Sequence, residues 1–271
     1  MSKTSAYIEG LGLIGPGFAN WPQAVPVLSG AQAYVHAPAA IPAPAALPSA
    51  ERRRTSQPVR LALAIGFEAA QASGRDAAAL STVFTASGGD GENCHAICET
   101  LAGDEREISP TRFHNSVHNA PAGYWSIAAH AMSSSNVLCA YDGSFCAGLL
   151  ESLCAVSVDA QETLLIAFDT EYPDPLRGVR PTADAFGVAL VLTPRESERT
   201  VARIDVELTD APATTLASPA LEAVRLGNPA ARALPLLEAL AAKQARTVVL
   251  DYLDDLRLRV HVVPVDARKE P

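Results

Sequence analysis

SSNVLCAYDGSFCAGLLESL, residues Ser134 to Leu153, joins a β-rich run, a tight turn of small residues and an apolar helical period without a break. Asn136 to Tyr141 reads as a strand. Phe145 to Ser157 reads as a helix with Leu149, Leu150, Leu153 and Val156 on one side. A residue in the turn between them stands at a helix N-terminus, where free amides and the dipole favour an anion and lower a thiol pKa. That is the geometry of a nucleophile elbow. The turn itself holds Asp142, Gly143 and Ser144, and no cysteine. Asp142 has the composition of an N-cap. Ser144 has no general base near it in sequence, so a serine hydrolase reading is weak. Cys139 falls in the strand and Cys146 in the helix, where burial is expected to keep both chemically quiet.

Further elements repeat the strand–helix alternation. Ala6 to Leu13 reads as a strand, Ser56 to Ser73 as an amphipathic helix and Ser81 to Ala86 as a buried strand. Asn93 to Leu101 and Ala122 to Ala131 are helical by period. Glu162 to Phe168, Ala185 to Leu192, Val201 to Leu208 and Arg257 to Val265 read as strands. Leu221 to Lys243 is helical with a break at Gly227-Asn228-Pro229, and the Ala/Pro-rich stretch Ala31 to Ala50 is an extended loop. Strands separated by helices imply a layered α/β domain with a mixed, largely parallel sheet. The expected organisation is a domain over 1–208 and a C-terminal helical extension with a late strand over 209–271, packed on the same domain.

The chain of 271 residues carries a formal net charge of -9, with 48% hydrophobic and 19% charged residues. It can bury a large core. It lacks the basic stripe that a nucleic-acid surface requires. The densest basic run, Arg52-Arg53-Arg54, is short and reads as a solvated turn or helix start. No leader or membrane span is expected, and the five cysteines are expected as reduced thiols in the cytoplasm.

Three motifs point to other chemistry without the context it needs. Gly10-Leu11-Gly12-Leu13-Ile14-Gly15 matches G-x-G-x-x-G, but Pro16 and Gly17 follow it, and no acidic residue lies between Glu9 and Glu51 to hold a ribose. His114 and His118 form an H-x-x-x-H pair that binds a metal only if both share a helix. The polar run around them fits turns and caps. Cys94 and Cys98 have no second pair at zinc-site spacing. No cofactor and no metal are expected.

Three stretches together resemble the N-terminal half of the thiolase-fold β-ketoacyl synthases: SAERRRTSQPVRLALAIGFEA from Ser49, ISPTRFHNSVHNAPAGYWSIA from Ile108, and the opening stretch. A fourth, FDTEYPDPLRGVRPTADAFGVALVLTP from Phe168, is similar to the family's Asp-rich loop and following strand. The resemblance covers roughly residues 5 to 208 and is strongest to the short synthase-like chain length factors of aryl polyene clusters. It implies a thiolase-like half fold, truncated relative to full ketosynthases. Aligning Gly148-Leu149-Leu150-Glu151 with the synthase helix places Asp142 where the family carries its acyl-accepting cysteine. The family's two later catalytic residues, usually His, lie in its C-terminal half, and this sequence ends soon after His261.

The resemblance thus implies a non-catalytic partner of a full-length ketosynthase that shapes its acyl tunnel and meets an acyl carrier protein only indirectly. The expected partner and tunnel surface comprises Phe113, His114, Asn115, His118, Asn119 and Tyr124 together with Tyr141, Asp142, Gly143, Ser144 and Phe145. Two alternatives stand beside it: an acyltransferase or half-synthase acylated on Cys139 or Cys146, and a stand-alone binding module for an acyl chain or carrier protein.

Overall fold

The computed structural model describes residues 4–104 and 106–265. In chain order its elements are β1 (Thr4–Ile14), α1 (Trp21–Leu28), α2 (Ser49–Arg52), α3 (Gln57–Ser73), β2 (Ser81–Thr85), α4 (Gly91–Ala102), α5 (Pro110–His114), α6 (Ala120–Ala129) and β3 (Ser135–Leu138). There follow α7 (Ser144–Val158), β4 (Thr163–Asp169), α8 (Leu176–Val179), β5 (Phe186–Thr193), β6 (Ala202–Thr209), α9 (Pro219–Gly227), α10 (Leu234–Ala241), β7 (Arg246–Leu250) and β8 (Arg257–Pro264). The strands form one sheet in the order β3-β2-β4-β5-β1-β6-β8-β7.

The sheet is mixed, as expected, but its balance is antiparallel rather than largely parallel. Only β2 pairs in parallel, with β3 and β4. The pairs β1–β5, β1–β6, β4–β5, β6–β8 and β7–β8 are antiparallel. Continuous apolar runs report burial on both faces, and that burial arises with either strand direction when helices cover both sides.

The alternation along β4 shows this coverage. Leu165 and Ala167 enter one core with Phe145, Leu149 and Leu153 of α7. Leu164, Ile166 and Phe168 enter the other with Leu61 and Ile65 of α3 and Trp125 of α6. Farther along, β6 and β8 bury only one face: Ile204, Val206, Val260 and Val262 point inward, while Arg259 pairs with Glu207 on the other side at 2.7 Å. The residues after 208 thus add two strands to the same sheet and cover one side with α9 and α10.

Gly10 and Gly12 lie inside β1, not at the start of a helix. A Cβ at Gly10 would stand 2.1 Å from the Ala69 carbonyl oxygen, and one at Gly12 would stand 2.0 Å from that of Ile65. These glycines bring α3 directly onto the strand backbone. α1 is a helix that the sequence reading did not anticipate. Pro22 sits in its first turn, where a missing N–H costs nothing, and the Asn20 side chain accepts from Gln23 N at 2.9 Å. β7 also escaped notice, because its five residues carry too short a pattern. Among the described residues no helix is long and apolar enough to cross a membrane.

Candidate functional site

β3 ends one edge of the sheet and leads through Cys139 and Ala140 into a single 3-10 turn, Tyr141–Gly143, from which α7 starts. The turn is fixed from beneath. Ser144 is 2% exposed; its hydroxyl accepts from Ala140 N at 3.0 Å and lies 2.6 Å from the Tyr141 carbonyl and 3.1 Å from that of Ala86. Thr85 Oγ1 donates to the Ser144 carbonyl at 2.7 Å, binding β2 to the helix start. A Cβ at Gly143 would meet the Tyr252 carbonyl oxygen at 2.4 Å, so only glycine fits beneath the loop between β7 and β8. Phe145 is a core residue. Gly143, Ser144 and Phe145 are buried and hold the turn from within.

The left-handed residue of the turn is Tyr141, with φ of 51° and 62% exposure. Its neighbour Asp142 is clamped by two guanidinium groups: Arg180 reaches Oδ1 at 2.5 Å and Arg232 reaches Oδ2 at 2.9 Å. Arg180 also lies over the Tyr141 ring, 3.7 Å from its centroid. Arg180 comes from the loop after α8 and Arg232 from a 3-10 turn before α10. Neither was singled out in the sequence. Arg180 lies within the Asp-rich stretch, but nothing in sequence marks Arg232, which is 90 positions from its partner.

A cavity of about 400 Å3 opens beside the turn, lined by Cys94, Ser116, Tyr141, Tyr172, Val179 and Arg180 among others. It is where the elbow meets the loop that follows α5. On its floor Ser87 donates N–H at 2.8 Å and Oγ–H at 2.6 Å to Asp169 Oδ1. The other oxygen of Asp169 is buried without a partner, and burial pushes this carboxyl up to about 7 despite the Ser87 bonds.

The second predicted cluster divides into scaffold and surface. Tyr124 is buried and its hydroxyl donates to Asn115 Oδ1 at 3.1 Å, while Asn115 Nδ2 donates to the Arg54 carbonyl at 2.7 Å. His114 stands edge-on to Tyr124, with ring centroids 6.0 Å apart. His118 Nε2 is buried without a partner, and Asn119 precedes α6 as an exposed residue that makes no side-chain cap bond. Phe113 is 69% exposed. His114 ends α5 and His118 lies in the turn beyond it, so the pair does not share a helix.

The cysteines depart from expectation in one respect. Cys146 is fully buried, and burial pushes its thiol far up. Cys139 lies just past β3 and is exposed, donating to the Ser87 carbonyl at 3.2 Å. The strand ends three residues before the expected Tyr141 because the turn draws the chain out of the sheet before Cys139.

Among solved structures, the chain is similar to one in the complex of a ketosynthase with its chain length factor from Xenorhabdus doucetiae, at 22% identity and TM-score 0.71, covering 95% of this chain and 99% of that one. It is similar to a chain in the complex of a type II polyketide acyl-carrier protein with its ketosynthase, at 10% identity and TM-score 0.72, with 97% and 100% covered. A β-ketoacyl synthase from Burkholderia phymatum matches at 13% identity and TM-score 0.56, with 89% of this chain and 71% of that one covered. The fold is thus the thiolase-like α/β fold of these proteins. No curated protein matches the sequence. The family model for the β-ketoacyl synthase N-terminal domain matches residues 27–251, and the chain belongs to that family.

Proposed function

We propose that this protein is a non-catalytic subunit that pairs with a full-length ketosynthase and shapes its acyl tunnel, as a chain length factor does in polyene-type biosynthesis in the cytoplasm. The observation that carries the reading is the elbow. Its left-handed residue is Tyr141, its acid is Asp142 held by Arg180 and Arg232, and neither is a thiol. A carboxylate does not replace a thiolate in forming an acyl thioester. The resemblance aligns Asp142 with the family's nucleophile, and neither Asp142 nor the left-handed Tyr141 beside it is a thiol.

The sheet edges support pairing through one side. At the β7 edge, Thr214 occupies the outward backbone groups of Val249, donating N–H to its carbonyl at 2.8 Å and accepting from its N–H at 2.9 Å. The β3 edge has no such cover among the described residues. Just before β3 in the chain stands an exposed apolar side chain, Met132 at 96%. A bare strand edge with apolar neighbours is a template for another chain. An acyl carrier protein would reach the pair through the ketosynthase.

Co-expression with a neighbouring ketosynthase, followed by size-exclusion chromatography, tests the proposal. A co-eluting pair is expected. Two separate monomer peaks at micromolar protein would sink it. The enzyme reading gains only the exposure of Cys139. Mass spectrometry after incubation with an acyl carrier thioester decides it, since a stable adduct on that residue would favour an acyltransferase.

A further inference from the structure

Two of the cysteines, Cys94 and Cys98, stand four positions apart within the 12 residues of α4. Side chains at that spacing lie one above the other on a single helix face. Both thiols are free and exposed, so the face they share is open to solvent. Cys94 also lines the cavity beside the elbow. Its thiol is pushed up first by burial and then by Cys98, as expected of two sulfurs that are neighbours.

Distance decides what can join them. Cβ atoms four apart on a helix lie about 5–6 Å from each other, whereas a disulfide needs about 3.5–4.5 Å. Direct oxidation of the pair would therefore distort the helix. A bridging ion would not: two metal–sulfur bonds of about 2.3 Å, the length zinc makes, set the sulfurs about 4.6 Å apart when they are in line. Ions that demand three or four protein ligands do not find them. Among the described residues no group of three or more His, Cys, Asp or Glu side chains can hold a metal, and the adjacent His95 is turned to Glu99 at 3.3 Å. Soft thiolates select copper(I), which accepts two of them in line. We propose that Cys94 and Cys98 form a two-thiolate site for Cu(I) on the exposed face of α4. Binding replaces two S–H bonds by two S–Cu bonds and releases both protons to solvent; the copper stays monovalent throughout.

Anaerobic titration of the reduced full chain against the Cu(I) chelator bicinchoninate tests this. The protein should draw a single Cu(I) per chain from the chelator. Cys94→Ser and Cys98→Ser, both at exposed positions, should each weaken binding by about a hundredfold or more, because one thiolate cannot bridge. Cys139→Ser and Cys154→Ser, which remove the other exposed thiols, should leave it unchanged. An equal concentration of zinc(II) should not displace the copper. Treatment of the metal-free protein with diamide, followed by peptide mapping, should yield no disulfide between Cys94 and Cys98. Failure to draw copper from the chelator, indifference to either α4 variant, an equal loss with Cys139→Ser, displacement by zinc, or a ready Cys94–Cys98 disulfide would each overturn the site. None of these readouts depends on whether the protein pairs with a ketosynthase.

Discussion

The guanidinium of Arg180 lies 3.7 Å above the ring of Tyr141 while the same group donates to Asp142 at 2.5 Å. One side chain from the loop after α8 thus holds two successive residues of the elbow, the left-handed one by its ring and the acidic one by its charge. Asp142→Ala would strip both Arg180 and Arg232 of their shared acceptor. The site is partly exposed, with Asp142 at 32%, so the loss should be about 1–3 kcal/mol. Urea unfolding measures it, and a change below a few tenths of a kcal/mol would show that the clamp is ornamental.

At Tyr141 two effects oppose each other. Glycine would relieve the left-handed strain by about 1 kcal/mol and would lose the cation–π contact, worth about 1 kcal/mol at such a site. Tyr141→Gly should therefore be nearly neutral in thermal denaturation. Tyr141→Val loses the contact and puts a β-branched residue at φ of 51°, so it should cost about 2 kcal/mol.

Asp169 gives a pH dependence of unusual sign for a carboxyl. Burial raises it to about 7 in the folded protein from its ordinary value of 3.8. The folded state therefore binds the proton more tightly than the unfolded state. The resulting stability is fully present below pH 3.8 and is lost as pH rises to about 7. Measured against Asp169→Asn, the unaltered protein should lose melting temperature steadily across that window. A flat difference between the two would refute the burial account.

Thiol labelling separates the cysteines by depth. Cys146 should resist iodoacetamide until the protein is unfolded, while Cys139 reacts in the native state. Peptide mass spectrometry with and without denaturant reads both.

Ile127→Glu with Met132→Glu changes one exposed side chain on α6 and one just before β3. The double variant should keep its own stability within about 0.5 kcal/mol and lose co-elution with the ketosynthase. Unimpaired co-elution would move the proposed contact away from this edge.

Much of the fold lay in the sequence. The uninterrupted apolar run of β5 required burial on both faces, and the alternation of β8 required burial on one. The strand, turn and helix around Tyr141 to Ser144 followed from local propensity, and so did the absence of a thiol in the turn. Strand direction did not follow, because burial fixes hydrophobicity without fixing direction. The departure of Cys139 from its strand was set by the turn, not by its own side chain.

What the sequence determined by itself is therefore local: element order, the one- or two-sided burial of each strand, and the chemistry missing from the elbow. Only the tertiary structure brought Arg180 and Arg232 to Asp142, left one oxygen of Asp169 buried without a partner beneath Ser87, and, among the described residues, covered one sheet edge with Thr214 and not the other. Those relations join residues from separate strands, helices and loops, up to 90 positions apart for Arg232 and Asp142. Periodicity and turn chemistry act over a few residues, so chain distance hides such pairs until the sheet closes.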